Sequence, residues 1–134
     1  YPTGLTALGT DWIGVVRPTT TSPTVVRLSA GGALLGSRAF PAGDGNSTGA
    51  VLAVGTKGVL LAYSFGSSIK VGFLPPDLGT KGDTDPANDA PIQIYEIPSG
   101  AATSPPALAR IDDKHFIVVW QDGKAKGSIL TCVQ

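Results

Sequence analysis

A short apolar phrase recurs three times along this chain, each time followed by a tight turn and a second apolar run. Leu5-Thr6-Ala7-Leu8-Gly9-Thr10-Asp11 leads into Trp12-Ile13-Gly14-Val15-Val16. Val51-Leu52-Ala53-Val54-Gly55-Thr56-Lys57 leads into Gly58-Val59-Leu60-Leu61-Ala62-Tyr63. Ala107-Leu108-Ala109-Arg110-Ile111-Asp112-Asp113 leads into His115-Phe116-Ile117-Val118-Val119-Trp120. A self-similar unit of roughly 40 to 57 residues built from short apolar runs signals a repeat architecture, in which no unit buries its core alone. The units fall at about residues 1–43, 44–100 and 101–134, and the chain reads as a single all-β domain.

No dozen-residue window keeps apolar residues at helical spacing without an intervening Gly or Pro. Strands are legible instead, as β-branched and aromatic clusters between turn formers. The first unit predicts strands at 5–8, 13–17, 24–28 and 34–40. The second predicts 50–54, 59–65, 69–73 and 92–97, and the third 107–111, 116–121 and 128–133. Turn residues stand at equivalent places: Gly9-Thr10-Asp11, Gly55-Thr56-Lys57-Gly58 and Asp112-Asp113-Lys114. Between second and third strands lie Gly66-Ser67-Ser68 and residues 122–127. The third-to-fourth connection is short in the first unit, at Ser29-Ala30-Gly31-Gly32, and swells into residues 75–91 in the second.

The links between units, Phe40-Pro41-Ala42-Gly43 and Ile97-Pro98-Ser99-Gly100, share one pattern, and Tyr1-Pro2-Thr3-Gly4 matches it. The chain is therefore expected to begin just after a fourth strand and to stop before the fourth strand of its last unit. That leaves one unit open, to be completed by another chain, a second copy or further sequence.

Ala107-Leu108-Ala109, a turn, then Phe116-Ile117-Val118-Val119-Trp120-Gln121-Asp122-Gly123 resembles the blade repeat of β-propellers found in secreted proteins. So does the third strand running through Gly31-Gly32 into a fourth, over residues 25–36. The resemblance implies four-stranded antiparallel blades and a partial β-propeller; a β-sandwich is the alternative fold. The chain lacks the Gly-His and Trp-Asp pairs of WD40 repeats, the aromatic spacing of kelch repeats after Gly31-Gly32, and the Ser-x-Asp-x-Gly-x-Thr-Trp box of sialidases. The resemblance thus carries architecture and no named family's activity.

Ten basic and ten acidic residues, with neither sign gathered into a block, argue against a nucleic-acid partner, which demands a basic face. Charged residues are only 15% of the chain, low for a soluble domain, which points to surface buried against a partner. The longest uncharged apolar stretch, 58–65, is too short to cross a bilayer as a helix. Asn46-Ser47-Thr48 is a glycosylation sequon in a Gly-rich loop, which fits an extracellular setting. The one cysteine, Cys132, reads either as a small buried hydrophobe or as half of an interchain disulfide.

Candidate chemistry is sparse. Asp83, Asp85, Asn88 and Asp89 gather oxygen donors that could wrap Ca²⁺, or simply form a solvated turn-rich loop; Pro86 interrupts the alternation of a calcium loop. Trp12, Trp120 and Tyr63 could stack on a glycan, as in lectin-like propellers, or plug the space between blades. His115 is the sole histidine and sits at a hairpin turn rather than beside a nucleophile. There is no phosphate loop, no metal-spaced His/Cys set and no nucleophile elbow. The expected function is a non-enzymatic extracellular binding or assembly module without a required cofactor. A carbohydrate-binding propeller is the first alternative. The second is part of a propeller hydrolase, whose paired carboxylates lie too far apart in sequence to be seen.

Overall fold

A computed structural model of the protein describes residues 2–16, 23–40, 49–53, 58–65, 68–80, 85–98, 106–112 and 114–131. The described residues are all-β apart from one 3-10 turn at Pro86–Asn88. The first sheet is an antiparallel meander of β1 (Pro2–Leu8), β2 (Asp11–Val16), β3 (Thr24–Leu28) and β4 (Leu34–Ala39). The second repeats that order with β5 (Gly49–Ala53), β6 (Val59–Phe65), β7 (Ser68–Leu74) and β8 (Gln93–Pro98). The third holds β9 (Ala107–Arg110), β10 (His115–Asp122) and β11 (Lys124–Thr131), ordered β11-β10-β9. Three sheets therefore stand where a sandwich would have two.

The strands follow the expected runs with three differences. Strand β1 begins at Pro2 rather than at residue 5, so Pro2–Gly4, expected in a link between units, instead pairs with β2 through a register shift between Pro2 and Gly4. Strand β11 begins at Lys124 rather than at residue 128, because β10 and β11 pair up to a turn at Gly123, with Asp122 opposite Lys124. The segment Lys124-Ala125-Lys126 hid this in the sequence: it is an exposed strand end, so it carries no apolar signal. Its charge is used across the hairpin, where Lys126 Nζ lies 2.5 Å from Asp122 Oδ2. Strand β8 is displaced by one residue, to Gln93–Pro98.

The sheets stack face to face, with β1 beside β5 and β5 beside β9. Side chains alternate between the faces of each strand, so every sheet has one face toward the next unit and one toward the preceding unit. Ile13, Val15 and Val25 of the first sheet pack on Val59, Leu61 and Tyr63 of the second. The second sheet's opposite face sends Leu60, Ala62, Ile69 and Val71 against Phe116, Val118 and Trp120 of the third. Strand β6 is thus buried on both faces, which is why it reads as an unbroken apolar run rather than an alternating one. Each fully buried side chain of this size contributes about 1.5–3 kcal/mol. These two cores are what hold one unit to the next.

Polar contacts fix the long connection after β7. Arg27 Nε and Nη2 both donate to Asp11 Oδ2, at 2.8 and 2.5 Å, while Nη1 donates to the Pro76 carbonyl at 2.5 Å. Arg38 reaches the carbonyls of Leu78 and Ala90, at 3.2 and 2.6 Å. Between them Leu78 is driven fully into the first core, with φ of 60°. A leucine in the left-handed region costs about 1–3 kcal/mol, an amount its burial offsets.

Candidate binding surface

The three sheets use their faces in the same way. Trp12, Gly14 and Val16 of β2 are equivalent to Val59, Leu61 and Tyr63 of β6 and to Phe116, Val118 and Trp120 of β10. In the second and third sheets these rear-facing residues pack on the unit before. The forward-facing set is Ile13 and Val15, Leu60 and Ala62, Ile117 and Val119. In the first and second sheets it packs on the unit after. Among the described residues two faces are left over: the rear of the first sheet and the front of the third.

Both leftover faces are apolar. Around Gly14 on the rear of the first sheet lie Leu5 and Val26, whose methyl groups stand 3.8 and 3.3 Å from where a Cβ would be. Trp12 is 43% exposed, and Leu34, placed opposite Leu28, is 64% exposed. On the front of the third sheet Ile117 pairs with Ile129, which is 62% exposed, and with Ala109. Val119, 41% exposed, pairs with Gly127 and Ala107. Neither face carries Asp, Glu, Lys or Arg within its strands, and His115 ends the front one. A sheet with one solvated face alternates apolar with polar residues, and these do not.

The residues singled out by sequence are scattered. Trp12 lies on the rear face, whereas Tyr63 and Trp120 are buried in the two cores between sheets, filling the gaps between units. The Tyr63 hydroxyl and Trp120 Nε1 are buried, without a protein hydrogen-bond partner among the described residues. Burial, with the negative charge of Glu96 second, pushes the Tyr63 phenol up to about 12. Its stabilising contribution is therefore complete below pH 10 and is lost as pH rises from there toward 12. Tyr63→Phe is expected to remove that alkaline loss while leaving neutral-pH stability within about 1 kcal/mol, since no paired hydrogen bond is broken. Unfolding midpoints at pH 7 and pH 11 check both halves of this expectation.

In the long connection Asp85 Oδ1 accepts from the Ala87 amide at 2.9 Å, and Asp89 Oδ2 lies 3.6 Å from Arg38 Nη1. Asn88 donates its amide to the Asp85 carbonyl at 3.4 Å, and Asp83 lies outside the described residues. Asp85 thus holds a local turn, and Asp89 pairs with Arg38 of β4. Among the described residues no three of His, Cys, Asp or Glu are gathered as a metal site. At the β9–β10 turn, Asp112 Oδ1 accepts from the amides of Lys114 and His115 and from His115 Nδ1, each at 2.8 Å. The Lys114 amide and then the His115 ring hold the Asp112 carboxyl below its usual 3.8. Asn46 and Cys132 lie outside the described residues. No described helix is long and apolar enough to cross a membrane.

The leftover faces themselves were missed by residue-level reading, although a signal was there. Strand β2 after Asp11 and the Phe116–Trp120 stretch of β10 are apolar at every position, the pattern of strands covered twice, and among the described residues each is covered once. Comparison with protein-family models, curated proteins and solved structures finds no match for this chain.

Proposed function

We propose that this protein is a non-enzymatic assembly module of the extracellular space, a run of propeller-like blades completed by another chain or by further sequence. One observation carries the reading: the Phe116–Trp120 stretch of β10 is apolar at every position, like Val59–Tyr63 of β6, yet among the described residues it packs on a neighbour on only one face. The matching deficit on the rear of the first sheet, around Trp12, Leu5 and Leu34, supports it. Apolar faces of this kind on a stably folded chain mark interaction surfaces. The Asn46 sequon supports the extracellular setting.

Among the described residues the third sheet has three strands where its siblings have four, so strand addition at the β11 edge is a second mode of completion in the same assembly. The test is light scattering on the purified chain together with binding of an apolar fluorescent dye. Association above the 13.6 kDa of one copy, or strong dye binding by a folded monomer, supports the reading. A folded monomer that leaves the dye unbound overturns it.

A further inference from the structure

We infer that residues 75–80 form a latch across the joint between the first and second sheets, one that seats Leu78 between them and can leave while both sheets stay folded. The segment belongs to the second unit but is held by the first. It lies outside both neighbouring ladders, since β7 ends at Leu74 and β8 begins at Gln93. Leu78 is fully buried in the first core, and its Cδ1 stands 4.0 Å from where a Cβ on Gly36 of β4 would be. Phe40 makes the reciprocal contact, leaving the first unit to lie over Gly72 of the second. The two plugs are mounted differently. Phe40 directly follows β4, whereas Leu78 rides on a turn with two successive left-handed residues, Leu78 at φ 60° and Gly79 at 72°.

That mounting favours release. A non-glycine residue in the left-handed region is strained, by an amount of the same order as the burial of one leucine stabilises, so little of the burial energy is left to hold the segment. The turn keeps its own bonds wherever it goes: Leu78 donates its amide to the Pro75 carbonyl at 2.9 Å, and Gly79 donates its amide to Asp77 Oδ1 at 2.8 Å. It is tied to the rest through carbonyls. Arg27 donates to Pro76, Arg38 donates to Leu78 and Gly79, and the Ala90 amide donates to Gly79 at 2.8 Å. Both arginines have further partners, Asp11 for Arg27 and the Ala90 carbonyl for Arg38, so they stay seated when the turn departs. The slot also persists, because Phe40 is held by the Pro23 carbonyl and Val59 and Leu74 remain paired in their ladder. A strained turn over a preformed slot, held by side chains that need not move, is a segment that opens locally.

Thiol modification of Leu78→Cys, in a chain freed of its other cysteine by Cys132→Ser, tests the latch. When opening is fast, the rate of modification follows the population of the open form. A cysteine fills the slot less well than leucine, which favours the open latch and the unfolded chain by the same factor, so the contrast between the two routes is kept. The rate is expected to stay flat with urea until the unfolding transition, because local opening exposes little surface. Leu8→Ala, on β1 at the far edge of the first sheet from β4, is expected to shift the folding equilibrium by about thirtyfold or more while changing the Leu78→Cys rate less than about twofold. Arg38→Met is expected to raise that rate about tenfold or more, since it removes the charged donor from two latch carbonyls.

A rate that rises with urea along the slope of global unfolding from the lowest concentrations overturns the latch. So does a rate that increases in step with the Leu8→Ala destabilisation, and so does an Arg38→Met chain whose rate is unchanged. If Leu8→Ala fails to fold, the urea dependence alone decides between local and global opening.

Discussion

Gly58→Ala is expected to destabilise the fold by about 3–5 kcal/mol, combining a forbidden backbone conformation with overpacking. Gly58 has φ of +147°, a region that residues with a side chain rarely enter, and it immediately precedes β6. A Cβ there would run into the carbonyl oxygen of Leu74, which stands opposite Val59 in the ladder, and into the ring edge of Phe73. The Leu74 oxygen belongs to backbone in the most buried sheet, so no rotamer change makes room. Against a typical total stability of about 5–15 kcal/mol this is a large fraction. Urea unfolding at one fixed protein concentration measures it, since association would otherwise contribute to the midpoint. A loss below about 1 kcal/mol would mean that the start of β6 can shift, and that its register is not fixed from this end.

Gly72→Ala is the second large effect, and its cause is a ring rather than the backbone. Phe40, just after β4, lies over Gly72 so closely that an added Cβ would overlap three of its ring atoms. Phe40 cannot easily withdraw. It is buried, its amide donates to the Pro23 carbonyl at 2.9 Å, and its ring meets Tyr63 edge-on at 6.0 Å. The expected cost of Gly72→Ala is about 1–3 kcal/mol, and of Phe40→Ala about 3–5 kcal/mol. The double variant should cost less than the two together by about 1–2 kcal/mol, because the new methyl group enters space the ring has left. Strict additivity in this cycle would show that Phe40 and Gly72 do not meet. The contact joins the end of the first unit to the middle of the second, so the cycle also reports on the stacking of units.

The site was less legible than the fold. Strands showed in the sequence because β-branched and aromatic runs between turn formers are a local signal, and β6, β7 and β10 lie close to their expected positions. Strand β11 was half hidden because Lys124-Ala125-Lys126 is an exposed, polar strand end held by backbone pairing and the Lys126–Asp122 ion pair, with no apolar signal. Trp12, Tyr63 and Trp120 looked alike as candidate stacking platforms. Burial separates them, since Tyr63 and Trp120 fill gaps between sheets and Trp12 lies on an end face. Asp89 was read as either a cation ligand or part of a solvated loop, and its neighbour Arg38, 51 positions earlier in the chain, was not visible in the sequence.

By itself the sequence determined the repeat, the all-β character and the order of strands within each unit, because these follow from alternation and turn chemistry between near neighbours. It also recorded that Trp12–Val16 of β2 and Phe116–Trp120 of β10 are apolar on both sides. Only the tertiary structure decided which of those sides is covered. Covering a strand's face is a long-range event between residues roughly one repeat apart, and no local pattern says which neighbour arrives. The stack of three sheets satisfies β6 twice and β2 and β10 once each, and that difference is what turns a repeated phrase into two apolar faces awaiting contact.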